Sequence, residues 1–96
     1  NESAMHVWER VVQFPMWKDY GEEMKSDVAD LKNLGGANAG HISAAKFLEH
    51  FTDYPWIHID IAGPAYSNSG SGYKTKGGAG VGVRMLYDFI KKNYCQ

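Results

Sequence analysis

A strictly alternating run near the middle of the chain constrains its fold more than any other feature. The run covers residues 56–62 and carries isoleucine at every second position, at Ile57, Ile59 and Ile61. Because successive side chains of a strand point to opposite faces, β-branched residues at this spacing predict a β-strand with one apolar face. The sequence offers it few partners, mainly 11–14 and less clearly 28–31. Two or three short strands make a poor sheet, so we expect this strand to belong to a larger one.

Two amphipathic segments flank the predicted strand. Apolar residues recur at i, i+3, i+4 and i+7 within 40–53 and again within 82–93, which is the spacing of one helix face. These residues are Ala44, Phe47, Leu48 and Phe51 in the first segment, and Val83, Leu86, Tyr87 and Ile90 in the second. The sequence therefore predicts an α/β fold, with a central strand at about 56–62 flanked by helices at about 40–53 and 82–93.

An earlier and weaker helix is predicted after Pro15. Trp17, Tyr20 and Met24 follow helical spacing, although Gly21 weakens the helix by roughly 1 kcal/mol relative to alanine.

Length and charge limit the classes of protein that fit. Ninety-six residues suffice for one small domain and not for two. Ten basic and eleven acidic side chains give a net charge of −1, which provides no basic surplus for a nucleic-acid partner or an acidic membrane surface. No apolar run reaches the roughly 18 residues of a membrane span. Cys95 is the single cysteine, so we expect no internal disulfide and a reducing, cytoplasmic setting.

Aromatic residues are unusually frequent, at 14% of the chain. A small core has limited room for three Trp, six Tyr and four Phe side chains. We therefore expect some of these rings to pack against a partner outside the chain.

The histidines do not form a convincing metal motif, since their positions lack the spacing that zinc sites use. His58 and Asp60 share one face of the predicted strand, about 7 Å apart by strand geometry. Two ligands are fewer than the three or more that protein metal sites require. A packed, hydrogen-bonded pair is the expectation there.

A glycine-rich loop at 76–82 leads into the last predicted helix and could present backbone N–H groups to a phosphate. It lacks the strand directly before it and the Lys-Ser/Thr pair of nucleotide-binding loops, so a close-packed loop at a helix start is the favoured interpretation. A nucleophile elbow of the form Gly-x-Ser-x-Gly is also missing from the sequence.

Five ordered blocks resemble the leucine (cytosol) aminopeptidase family. They are Arg-Val-Val-Gln-Phe-Pro-Met-Trp at 10–17, Ser-Asp-Val-Ala-Asp-Leu-Lys-Asn-Leu-Gly-Gly at 26–36, Ala-Gly-His-Ile-Ser-Ala-Ala-Lys-Phe-Leu at 39–48, Trp-Ile-His-Ile-Asp-Ile-Ala-Gly at 56–63 and Lys-Gly-Gly-Ala-Gly-Val-Gly-Val-Arg at 76–84. The resemblance runs from about Glu9 to Tyr94. Residues 1–8 match no block and are expected to continue a helix, and 67–73 departs from the family pattern.

This resemblance implies a two-metal exopeptidase that removes N-terminal residues from peptides. The family's catalytic domain is a mixed-sheet α/β/α structure, and its members are typically cytoplasmic hexamers. Two divalent ions, zinc or manganese, activate a bridging water. Their ligands, a lysine and several acids, include those of an Asn-Thr-Asp-Ala-Glu-Gly-Arg block that also carries the catalytic arginine, and this sequence lacks that block. The resemblance thus implies that residues 1–96 are a partial C-terminal segment of the catalytic domain, inactive alone and without metal ligands or catalytic residues.

Three substrate-pocket positions follow from the same resemblance. Ala62 and Ala65 correspond to the wall of the pocket for the substrate's N-terminal side chain, and Leu34 to the neighbouring pocket on the leaving side. Without the family, Ala62 is equally well explained as a small residue at a strand end.

Two further functions stay open at this point. The chain can be a non-catalytic binding domain that kept the peptidase scaffold, or a small nucleotide-binding protein that uses its glycine-rich loop.

Overall fold

The computed structural model describes residues 1–95. The elements are α1 (Glu2–His6), a 3₁₀ helix (Lys18–Met24), α2 (Gly40–Glu49), β1 (Tyr66–Ser67), β2 (Gly77–Gly78) and α3 (Val83–Tyr94). The chain divides into two compact units, one formed by Asn1–Val12 with the chain from Ile61 onward and the other by Gln13–Asp60. Among the residues described, no helix has the length and apolar character needed to cross a membrane.

The first unit contains α1, the hairpin β1–β2 and α3. The strands pair antiparallel, with Tyr66 opposite Gly78 and Ser67 opposite Gly77. Helix α1 packs on α3 and buries Ser3 and Ala4. Residues 1–8, which we expected to continue a helix, contain α1 at Glu2–His6.

The second unit places the 3₁₀ helix against α2 and buries Met24, Ile42 and Ala45. The side chain of Lys46 is only 9% exposed and lies in the same packing face. Its ammonium stays satisfied because it pairs with Glu49 at 2.5 Å and donates to the Met16 carbonyl at 3.4 Å. The long side chain thus contributes its stem to packing while its charge is paired.

The predicted central strand at 56–62 is not formed in this structure. Residues 55–61 have no regular secondary structure, and a turn begins at Ala62. A strand is stabilised by a hydrogen-bonded neighbour, and neither 11–14 nor 28–31 forms one. The isoleucine face is correspondingly only partly covered, with Ile57 78%, Ile59 39% and Ile61 41% exposed.

Two predicted helices are present with small differences in length. Helix α3 begins and ends one residue later than predicted, whereas α2 ends at Glu49 instead of 53. Beyond Glu49 the backbone bonds tighten to i→i+3, with Phe51 N–H donating to Leu48 and Thr52 N–H to Glu49. The earlier segment is a 3₁₀ helix rather than an α-helix.

The faces on which the helices pack differ from the prediction. Helix α2 buries Ile42 and Ala45, while its predicted apolar residues Ala44, Leu48 and Phe51 are exposed. Helix α3 likewise exposes its predicted apolar face, at Val83, Leu86, Tyr87 and Ile90. Both helices and the 57–61 segment therefore present large apolar surfaces that this chain does not cover.

Candidate functional site

The turn that carries Leu34 belongs to the second unit. Leu34 itself is 80% exposed, but the residues after it are firmly held. The Glu23 carboxylate accepts the Gly36 N–H at 3.1 Å and the Ser43 hydroxyl at 3.1 Å. Gly35 lies so close to α2 that an added Cβ would be 2.8 Å from the Ser43 Cβ. A fixed backbone thus presents an apolar side chain to solvent at the first predicted pocket position.

The other two predicted positions, Ala62 and Ala65, lie at the ends of one turn in the first unit. The Ala65 N–H donates to the Ile61 carbonyl at 2.9 Å, which closes the turn. The Ala65 carbonyl accepts the Ala79 N–H at 2.9 Å and so extends the β1–β2 ladder by one bond. Ala65 is half-buried and Ala62 exposed. The structure therefore places these two alanines together, on a turn anchored to the hairpin.

The path of the 67–82 loop, which the sequence left open, is a hairpin. Its strands pair at Ser67 and Gly77, and a second bridge joins Ser71 to Lys74 near the tip. After β2 the chain turns through two glycines of positive φ, Gly80 at 63° and Gly82 at 90°. Glycine adopts this left-handed region without the steric cost of a Cβ, so the loop can turn directly into α3.

The N terminus of α3 already holds a carboxylate of the chain itself. Glu9 Oε2 accepts the backbone N–H groups of Gly82 and Met85, each at 3.2 Å. Its Oε1 lies 3.5 Å from Arg84 Nε, and the Glu9 side chain is only 10% exposed. Because this carboxylate takes the place that a phosphate would need, the geometry disfavours nucleotide binding by the glycine-rich loop.

A second acid, which is half-buried, joins α1 to α3. Asp88 Oδ1 is 2.8 Å from His6 Nδ1, and Oδ2 is 2.9 Å from Lys92 Nζ. The ammonium of Lys92, with smaller contributions from Ser3 and His6, lowers the pKa of Asp88 from 3.8 to about 2 against the opposing effect of desolvation. The cluster is a structural clamp between the two helices.

The three histidines other than His6 each pack against an aromatic ring. His41 packs edge-on against Phe14 with centroids 4.6 Å apart, His50 against Phe51 at 5.2 Å and His58 against Trp56 at 6.3 Å. Over residues 1–95, no group of three or more His, Cys, Asp or Glu side chains is placed to hold a metal ion. The residues that the structure describes therefore do not fit a two-metal centre.

Two open depressions of about 350 and 300 Å³ lie in the second unit beside α2. Leu31 and His50 line both, with Lys46 in the larger and Phe47 in the smaller. Leu34 lines neither, so these depressions are not the predicted substrate pocket.

Comparison with known proteins identifies the class. The profile of the cytosol aminopeptidase family, catalytic domain, matches residues 1–87. Residues 1–8, for which the sequence showed no resemblance, are thus part of the match.

Curated relatives agree with that profile. The chain is 54% identical over 84 residues to a probable cytosol aminopeptidase of Geobacter sulfurreducens, covering 86% of this chain and 17% of the relative. It is 55% identical over 86 residues to that of Chlorobium phaeobacteroides (88% and 17%), and 52% identical over 92 residues to that of Chlorobaculum tepidum (94% and 18%).

The chain belongs to the cytosol aminopeptidase family. It spans less than a fifth of the length of these relatives, and the match lies in their C-terminal portion.

The sequence did not reveal the acids that fix the candidate site. Glu9 and Glu23 act on backbone groups 73 and 13 residues away, and no local pattern marks such contacts. For Glu9 the sequence held one indirect signal. The N-cap residue of α3 is Gly82, which has no side chain to cap the helix.

Proposed function

We propose that this chain is the C-terminal portion of the catalytic domain of a metal-dependent leucyl aminopeptidase, which removes N-terminal residues from peptides. The family match over residues 1–87 carries this proposal. In it, the chain supplies scaffold and substrate-pocket wall and is inactive alone.

The metal centre of the proposed enzyme comes from residues outside this chain. The family's two divalent ions, zinc or manganese, supply an activated water when bound. Since the donor groups of residues 1–95 do not gather into such a site, the ligands are assigned to the part of the domain that this chain does not span. No chemical step is assigned to a residue of this chain.

The proposed contribution of the chain is the apolar wall that recognises the substrate. Ala62 and Ala65 would contact the side chain of the residue that is removed, and Leu34 the residue after it. The Glu23 contacts to Gly36 and Ser43, and the Ala65–Ala79 bond, support this role because they fix the backbone on which these side chains sit. Small apolar walls suit peptides with aliphatic N-terminal residues.

The uncovered apolar faces support a larger assembled domain. Large apolar side chains that are left exposed, such as Ile57 and Val83, are candidates for contact with a partner. We propose that the remainder of the domain covers the 57–61 face and supplies the neighbours with which 56–62 pairs in a mixed α/β/α sheet. We also propose that the complete protein assembles into a homo-hexamer in the cytoplasm and that it binds neither nucleic acid nor a membrane.

The same apolar faces also favour a second candidate, a non-catalytic interaction domain derived from this scaffold. The coding sequence upstream separates the two. The aminopeptidase requires an Asn-Thr-Asp-Ala-Glu-Gly-Arg block there, whereas the interaction domain does not.

Assay of the purified chain tests the inactivity that the proposal assigns to it. We expect no hydrolysis of leucyl-p-nitroanilide by the chain alone, with or without added zinc or manganese. Robust, metal-stimulated turnover by the pure chain would overturn the assignment of the metal ligands to residues outside it.

A further inference from the structure

We infer that Glu9 is a positioning residue that sets the specificity of the substrate pocket through the glycine-rich hairpin. The inference rests on the proposed function, since it takes Ala65 as part of the pocket wall.

The first step is the cap on α3. Gly82 precedes the helix with a φ of 90° and has no side chain with which to bind the free N–H groups. Glu9 replaces that cap from a distant part of the chain, because its Oε2 accepts the N–H groups of both Gly82 and Met85. A charged acceptor at a helix N terminus is favoured by the helix dipole as well as by the hydrogen bonds.

The second step is the tie to the hairpin tip. Arg84 lies 3.5 Å from Glu9 and donates through Nη2 to the Tyr73 hydroxyl at 2.9 Å. Its guanidinium also lies over the Tyr73 ring, 5.5 Å from the centroid. Glu9 therefore anchors the start of α3 and, through Arg84, the far end of the hairpin.

The third step connects this anchor to the pocket wall. The chain between Ala79 and α3 contains Gly80 and Gly82, both of positive φ, so local backbone preference alone does not fix its path. A local bond from the Val83 N–H to the Gly80 carbonyl at 3.3 Å closes this turn, and Glu9 adds an external anchor at Gly82. At the other end of this short segment, the Ala79 N–H binds the Ala65 carbonyl at 2.9 Å. Displacement at Gly82 is thus transmitted to the backbone of Ala65.

Kinetics of the complete protein that contains this chain test the inference. The substrates are leucyl- and alanyl-p-nitroanilide, and the variants are Glu9→Ala and Glu9→Gln, with Glu2→Ala as a control on the exposed first turn of α1. For Glu9→Ala we expect the leucine-to-alanine ratio of kcat/KM to change by about fivefold or more, chiefly through KM, which is part of the roughly tenfold or more that one methylene contact in an apolar pocket contributes to discrimination. Glu9→Gln keeps an acceptor oxygen for the two N–H groups but loses the charge that faces Arg84, so its ratio should lie between those of Glu9→Ala and wild type. Glu2→Ala should stay near wild type.

The outcomes separate positioning from general stability. A merely structural role would lower kcat/KM for both substrates equally, and an unchanged ratio in Glu9→Ala overturns the inference. Where that variant is too unstable to assay, Glu9→Asp replaces it, since the shorter side chain cannot reach both N–H groups, and the same change in ratio is expected.

Amide hydrogen exchange keeps this inference distinguishable from the proposed function. If the wild-type complete protein hydrolyses neither substrate, the proposed function fails, and exchange at Ala79 decides whether Glu9 positions the hairpin. Faster exchange at both Gly82 and Ala79 in Glu9→Ala supports that role. Faster exchange at Gly82 alone would mean that Glu9 only caps α3, and this result would overturn the inference.

Discussion

Glu9 Oε2 lies 3.2 Å from the backbone nitrogen of Gly82, although 73 residues separate the two in sequence. The contact joins the segment after α1 to the start of α3, two regions that the helical and alternating patterns treat as unrelated. It also places a negative charge at the one helix end that the sequence marked as a possible anion site. Together with the His6–Asp88 contact, this long-range contact holds the N-terminal segment on α3, and it disfavours nucleotide binding, one of the functions that the sequence left open.

Substitution of Asp88 should alter the acid sensitivity of the chain. Because the folded pKa of about 2 lies below the ordinary 3.8, the unfolded state binds more protons between these values. The stabilisation from Asp88 is therefore complete above pH 3.8 and lost as the pH falls toward 2. Thermal unfolding followed by circular dichroism should show that Asp88→Asn is less stable than wild type at neutral pH and loses less stability across this acid range.

A matched control for this experiment is Asp53→Asn, since Asp53 is exposed. This variant should follow the wild-type pH profile. If Asp88→Asn also followed it, the contacts of Asp88 with Lys92 and His6 would not stabilise the folded chain.

Removal of the Glu23 carboxylate should loosen the Leu34 turn. Glu23→Ala leaves the buried Ser43 hydroxyl and the Gly36 N–H without their acceptor, which costs about 1–3 kcal/mol of unfolding free energy. Urea unfolding measures that loss, and amide exchange at Gly36 locates it. Glu22→Ala removes only an exposed ion pair with Lys25 and should cost less than about 1 kcal/mol. Equal losses in the two variants would contradict the anchoring role of Glu23.

Gly35 and Gly40 should respond oppositely to alanine. A Cβ at Gly35 would lie 2.8 Å from both Met24 Cε and Ser43 Cβ, so the turn or α2 must shift at a cost of about 1–3 kcal/mol. Gly40 has open space around it and opens α2, so Gly40→Ala should be neutral or should stabilise the chain by up to about 1 kcal/mol. Urea unfolding of both variants checks the contrast, and a neutral Gly35→Ala would mean that the turn is not packed as described.

The sequence predicted those elements that are stabilised by local interactions, and it did not predict correctly the element that needs a neighbouring strand. Helix α3 could be located to within one residue because its periodicity and lysine-rich end are local properties. The 56–62 strand could not be predicted in the same way, because a strand forms only beside a hydrogen-bonded neighbour. The alternation indicates which face would be apolar and does not show whether such a neighbour is present.

The site was predicted unevenly for the same reason. Leu34, Ala62 and Ala65 were identified from their positions in the family blocks, which do not indicate what each residue contacts. Glu9 and Glu23 act on distant backbone groups, and Asp88 reaches the distant His6, which periodicity does not encode. The Asp88–Lys92 pair, by contrast, has the i,i+4 spacing of a helix.

The exposed isoleucine face provides a prediction about association. Ile57→Asn should change the stability of the isolated chain by less than about 0.5 kcal/mol, because the side chain is 78% exposed. The wild-type chain should bind a hydrophobic dye and self-associate in light scattering, and the variant should do both less. In the complete protein the same substitution should be strongly destabilising, since there the position is proposed to be buried. A monomeric, dye-negative wild-type chain would contradict the unpaired apolar face.

Hydrolysis of leucyl-p-nitroanilide, measured side by side for this chain and for the complete protein that contains it, tests the central claim most directly. Both are assayed with zinc or manganese at equal molar concentration. We predict metal-dependent turnover by the complete protein and none by the chain alone, because in the proposed function the chain supplies pocket wall and scaffold while the metal ligands lie elsewhere. Equal turnover by the two, or an inert complete protein with its metals bound, would contradict it.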